Sequence, residues 1–219
     1  MIALRIRQRA FSRTDFAVFV VWLFQVSAII GITLGFEEWF VTKTPLNLLL
    51  TAGLFVLTHP RNRKYLALGL IFFCVGMTAE WIGVHFDWLF GAYYYGDNLG
   101  WKFQGVPYLI GINWMILVFI TAGCLERLTD KRWLRVIGGA TLMIFLDFFM
   151  EHAAHRFDFW HFAGDLAPLR NYVAWFGIAL FLHTLYQLAR VKANVIFSCH
   201  LYAAQLVFFG YFFFYYSAP

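Results

Sequence analysis

Charge is what this sequence has least of. Only 13% of its 219 residues are Asp, Glu, Lys or Arg, whereas 62% are hydrophobic, a balance that excludes an ordinary water-soluble domain. Proline is scarce as well, at five residues, and no low-complexity tract, extended linker or hydrophilic tail divides the chain. The expectation is therefore one membrane-embedded helical domain over residues 1–219. Cysteine is limited to Cys74, Cys124 and Cys199, each within or beside an apolar run; the odd count and the lack of metal-type spacing read as core residues without a disulfide framework. No Gly-rich nucleotide loop is present. The last apolar run holds no Lys for a Schiff base, which disfavours a seven-helix retinal receptor.

Seven apolar runs occupy most of the chain, near residues 16–36, 45–57, 65–83, 107–125, 136–150, 171–189 and 195–216. A helix needs about 20 mostly apolar residues to cross a ~30 Å hydrocarbon core, so the second and fifth runs need their flanks to complete a crossing. Lipid offers the backbone no hydrogen-bond partner, and the runs are accordingly read as helices. The fold class expected is all-α, a polytopic bundle of seven transmembrane helices. The first run lacks a small-residue cleavage site and reads as a retained anchor.

The net charge of +5 is a topology signal rather than a nucleic-acid footprint. Arg5, Arg7, Arg9 and Arg13 precede the first run, Arg61, Arg63 and Lys64 follow the second, Arg127, Lys131, Arg132 and Arg135 follow the fourth, and Arg190 and Lys192 follow the sixth. Against these thirteen, the other side has Lys43, Lys102, Arg156 and Arg170. By the positive-inside rule the N-terminus is cytoplasmic and the C-terminus outside, as for a multi-pass protein of a bacterial inner membrane. A nucleic-acid partner is not expected.

The acidic residues are distributed the other way. Glu37, Glu38, Glu80, Asp87, Asp97, Asp147, Glu151, Asp158 and Asp165 fall at or near the outer ends of runs, leaving Asp15, Glu126 and Asp130 inside. Glu80 and Asp147 lie within apolar runs, where a carboxyl costs several kcal/mol unless it is protonated, paired or facing a wet cavity, and so marks a functional site. Pairing with Arg156, Arg170 or a His to lock helices is the structural alternative. Helical spacing places Asp147, Glu151 and His155 on one face if the fifth helix continues that far. His152, His155 and His161 with two carboxylates raise the question of a metal. The remaining histidines, His59, His85, His183 and His200, are scattered over both sides, and the reading carries no metal.

Two hairpins resemble each other. EWIGVHFDWLFG leads to GVPYLIGINW and MEHAAHRFDFWHFAG leads to APLRNYVAW, each giving an acid, a His, Phe-Asp, Trp and Gly, then a Pro that opens a helix carrying Asn and Trp. EEWF followed by TPLNLL is a fainter third copy. Aromatic residues make up 21% of the chain and crowd the outer half, among them Trp81, Tyr93, Tyr95, Trp114, Trp160 and Trp175. Aromatic faces beside a buried acid suit carbocation chemistry, in which the acid protonates an alkene and ring quadrupoles stabilise the cation.

The stretch GMTAEWIGVHFDWLFGAYYYGDNLGWKFQGVPYLIGINW, together with LMIFLDFFMEHAAHRFDFWHFAGDLAPLRNYVAWF, resembles the integral-membrane carotenoid biosynthesis proteins that include the CruF-type carotenoid 1,2-hydratases. The residues that carry the resemblance are Glu80, Gly91, Tyr93, Tyr95, Gly105, Pro107, Trp114, Asp147, Asp158, Trp160, Pro168, Asn171 and Trp175. The resemblance implies addition of water to the terminal isoprenoid double bond of an acyclic carotenoid end, giving a tertiary alcohol. It also implies an acyclic or monocyclic carotenoid substrate, surrounding membrane lipid, and other carotenoid-pathway enzymes as partners. In the mechanism read from the residues, Glu80 or Asp147 donates the proton, and Tyr93, Tyr95, Trp81 or Trp114 stabilises the tertiary cation. Glu151, His155 or Asp158 positions and deprotonates the water, Asn113 and Asn171 orient water or acid, and Trp160 and Trp175 complete the aromatic lining. Neither a redox cofactor nor a metal is required. A lycopene-cyclase-like enzyme, in which an internal double bond captures the cation, is the enzymatic alternative. A proton-linked transporter using Glu80, Asp147 and Glu151 is the alternative of another class.

Overall fold

The computed structural model describes residues 10–164 and 166–217; Arg5, Arg7, Arg9 and Asp165 of the charge pattern lie outside the described residues. The described residues form eight helices: α1 (Arg13–Thr33), α2 (Glu37–Val41), α3 (Thr44–Thr58), α4 (Arg63–Phe86), α5 (Tyr108–Leu128), α6 (Arg132–Ala154), α7 (Leu169–Ala189) and α8 (Val195–Ser217). The chain is all-α in architecture, as its composition required. Six of the helices are long and apolar enough to cross a membrane; α3, the second of the seven expected spans, is not among them. At 15 residues it reaches only about 22 Å, short of a ~30 Å core. The fifth expected span proves long, since α6 runs 23 residues.

Local sequence fixes where the helices start. Ser12 and Asp15 form a capping box on α1, and the Asn62 side chain accepts the Tyr65 N–H at the start of α4. Pro107 and Pro168 are the N-cap residues of α5 and α7, where a missing donor costs nothing. α5 is the axis of the bundle. All residues from 116 to 125 are buried, and the helix packs against α3, α4, α6, α7 and α8. The outer helices are inverted relative to a soluble protein: Phe19, Ile30, Leu66, Leu70, Val173, Phe181 and Phe214 are all exposed, which only lipid tolerates on this scale.

The turns α3–α4, α5–α6 and α7–α8 carry the basic residues at one end of the bundle. The other end carries most of the acids and the longer connections. There the α4–α5 connection contributes β1 (Tyr93–Tyr95) and a small hairpin of β2 (Lys102–Phe103) with β3 (Val106–Pro107), and the α6–α7 connection contributes β4 (Trp160–Phe162). β1 pairs antiparallel with β4, Tyr93 opposite Phe162 and Tyr95 opposite Trp160, so the two connections form one cap. α2 is tied to the same cap by Glu37, whose carboxylate accepts Arg156 Nε and Nη2 at 2.9 Å and the Tyr216 hydroxyl at 3.1 Å.

Candidate functional site

Glu80 sits on the inner face of α4 and is buried. Its Oε1 accepts Trp114 Nε1–H at 2.8 Å, and its Oε2 accepts the hydroxyls of Tyr93 at 2.5 Å and Tyr95 at 2.7 Å. The pleat of β1 explains the two tyrosines: alternate side chains point to one face, so Tyr93 and Tyr95 turn inward while Tyr94 turns out and stacks on His161. Burial, reinforced by the Glu80 charge, pushes both tyrosine hydroxyls well above their ordinary range, so they remain O–H donors. Two glycines make the approach possible. A Cβ at Gly83 would lie 2.8 Å from the Tyr93 hydroxyl, and one at Gly76 would lie 2.6 Å from Trp114 Cβ. Trp114 in turn stacks on Trp175 with ring centroids 3.8 Å apart.

The opposite wall comes from α6 and α7. Asp147 and Glu151 are one helical turn apart, and Asn171 Nδ2 bridges them, donating to Asp147 Oδ2 at 3.2 Å and to Glu151 Oε1 at 3.3 Å. Trp160 Nε1 donates to Glu151 Oε2 at 2.9 Å. Asp147 Oδ1 accepts no hydrogen bond among the described residues. Glu80, Asp147 and Glu151 all line one pocket, and no Lys or Arg is among its described lining residues. Its free volume is about 20 Å³, room for about one water molecule.

This pocket adjoins a second, much larger space. A chamber of about 550 Å³ lies between α1, α2, α3 and α8, and Ile110, Asn113, Met150 and Trp160 line both. The chamber is walled mainly by apolar side chains, and Leu23, Phe24, Trp39 and Leu46 among them are also exposed on the outside of the bundle. Its size falls within the range of small-molecule sites.

Ten of the residues anticipated from sequence therefore meet in one place: Glu80, Tyr93, Tyr95, Asn113, Trp114, Asp147, Glu151, Trp160, Asn171 and Trp175. Three do not. Trp81 follows Glu80 by one residue and so faces about 100° away, where Nε1 donates to Gln104 Oε1 at 2.6 Å. His155, the C-cap of α6, keeps helical backbone and so the spacing from Glu151, but it lies at the exposed end of the helix, outside the pocket, with Nδ1 2.7 Å from His161 Nδ1. Asp158 lies in the cap, its Oδ2 accepting the N–H groups of Asp97 at 2.8 Å and Asn98 at 3.2 Å, and its Oδ1 lying 2.9 Å from His161 Nε2. Its partial burial works against ionisation, but these hydrogen bonds outweigh it and hold the carboxyl below its ordinary range. Asp158 is thus a staple between the two connections. Arg156 and Arg170, the cations weighed as locks for the buried acids, take other places: Arg156 pairs with Glu37, and Arg170 does not line the pocket.

Sequence reasoning missed Phe90, Ile110, Met150 and Phe162, which also line the pocket. Met150 lies three residues from Asp147 and was accessible to the same helical argument; the others depend on how the cap folds.

A family model described as "Carotenoid biosynthesis protein" matches residues 43–218. α1 and α2 precede that region and contribute one wall of the chamber. No curated protein and no solved structure matches the chain.

Proposed function

Because the chain belongs to the carotenoid biosynthesis protein family, we propose that it is a cofactor-independent carotenoid 1,2-hydratase, adding water across the terminal isoprenoid double bond of an acyclic end group. The observation that carries this reading is the adjacency of the two spaces, which share Ile110, Asn113, Met150 and Trp160 as lining. In this reading a polyene enters the apolar chamber from the lipid side, between α1 and α3, and its tip lies against Ile110, Asn113, Met150 and Trp160, the wall shared with the acid pocket, whose water-sized space holds the nucleophile.

In this mechanism the Asp147–Glu151 pair is the acid. Two carboxyls bridged by one amide and facing no cation carry their charge most cheaply as one acid and one carboxylate. Asp147, with an oxygen free of donors, protonates the less substituted alkene carbon, and the π electrons form that C–H bond, leaving a tertiary cation. The stacked Trp114 and Trp175, with Tyr93 and Tyr95, present ring faces to the cation. Glu80 is held by three donors and is suited to accept. Water adds its lone pair to the cation and gives a proton to Glu80, and proton return to the pair completes a net addition of one water. Asn113 and Asn171 orient the water and the acid. The basic turns favour a reading in which the acid-bearing end lies on the non-cytoplasmic side of a bacterial inner membrane.

Expression in a host that accumulates an acyclic carotenoid tests the reading. The product is expected to be a tertiary alcohol heavier by one water. An isomer of unchanged mass would assign cyclisation instead, and unchanged pigment would remove both.

A further inference from the structure

The chamber is not uniformly apolar. Gln25 on α1, Thr51 on α3 and Gln205 on α8 line it, and each is more than nine-tenths buried. Gln205 Oε1 is enclosed and meets no hydrogen-bond partner. Thr51 also has no hydrogen-bond partner among the described residues. Thr33, Thr58, Thr121, Thr141 and Thr184 satisfy their hydroxyls on the carbonyl one turn back, whereas Thr51 makes no such bond among the described residues. Counted along their helices, Gln25 and Gln205 lie roughly 12 and 18 Å below the acid-bearing ends and Thr51 roughly 10 Å, level with Asp147, and none of the three lines the acid pocket. A hydrocarbon placed against this stretch of the chamber leaves buried polar atoms unpaired, which is costly where no water competes.

We propose that Gln25, Thr51 and Gln205 give the chamber wall a hydrogen-bonding stretch, outside the acid pocket, that recognises a hydroxyl on the isoprenoid ligand away from the reacting tip. A hydroxyl both donates and accepts, and so satisfies Gln205 whichever way its amide is turned. The ligand class is then an isoprenoid alcohol rather than a pure hydrocarbon. The proposal rests on the chamber being the polyene site of the proposed hydratase, but it concerns binding and needs no turnover.

Retinol and its deoxy hydrocarbon axerophtene, titrated into the purified full chain in detergent and followed by quenching of Trp fluorescence, separate the two chemistries. Wild type is expected to bind retinol about tenfold more tightly. Gln205→Leu, which keeps the shape, is expected to lose that preference while retaining axerophtene binding, and Thr51→Val to reduce it. Asp147→Asn is expected to leave it intact, so failure of the hydratase reading and failure of the subsite are distinguishable. Equal affinity of wild type for the two probes, no binding of either, or a preference that survives both Gln205→Leu and Thr51→Val would overturn the proposal.

Discussion

In the α4–α5 hairpin, Glu80 stands seven residues before Asp87, and Trp114 stands seven after the Pro107 that caps α5; in the α6–α7 hairpin, Glu151 stands seven before Asp158, and Trp175 seven after Pro168. Asp87 and Asp158 share the same left-handed backbone, φ 54° in both, and the two equivalent tryptophans stack on each other. The hairpins diverge one turn before the glutamate. There the first has Gly76, where any side chain would strike Trp114, and the second has Asp147. A shared scaffold thus gives one wall that clamps a single carboxylate with three donors and another that holds two carboxyls on one amide. In the proposed reaction the first wall accepts a proton and the second donates one.

Substitutions on each wall test that contrast. Asp147→Asn and Glu80→Gln are each expected to cut product by a hundredfold or more while the protein remains extractable, read by pigment chromatography normalised to protein. Unchanged hydration in both would end the assignment. Glu151→Gln is expected to cost less than Asp147→Asn, because Glu151 is already engaged by Trp160; the reverse order would move the donor role to Glu151. Tyr95→Phe removes one of three donors from Glu80 and is expected to lower product about tenfold, with folding retained. Gly76→Ala forces Trp114 aside and is expected to destabilise the bundle by about 1–3 kcal/mol, whereas Gly177→Ala, at a position with open space, is expected to be neutral; thermal unfolding in detergent compares them.

The smallest effect concerns pH and the cap. Asp158 is held below its ordinary range when folded, so its contribution is present above the unfolded value of about 3.9 and is lost as pH falls through the lower folded value. Unfolding followed by Trp fluorescence from pH 5 downward is expected to show this acid limb, and Asp158→Asn to flatten it.

Apolar runs, basic turns and helix-opening prolines made the helices legible in sequence, because a membrane penalises any other arrangement of that backbone. The acid pocket was legible for a related reason: a carboxyl inside an apolar run demands partners, and ten anticipated residues proved to be those partners or their neighbours. Where the reading failed, it took a shared helical stripe for a shared pocket, as at His155, which lies at the exposed helix end, or treated sequence adjacency as a shared face, as at Trp81. The pairing of β1 with β4 and the fold of α2 over the chamber depend on contacts between distant segments, such as Glu37 with Arg156, that no local pattern announces. Gln25 and Gln205 stood in plain view within apolar runs, but only the chamber gives them a common purpose.

The proposed reaction takes its new oxygen from water. In cells making an acyclic carotenoid and grown in oxygen-18 water, this chain is predicted to yield a tertiary alcohol whose hydroxyl carries the heavy isotope, with labelling lost in Asp147→Asn because no product forms. A hydroxyl carrying unlabelled oxygen, or a product that contains no oxygen, would contradict it.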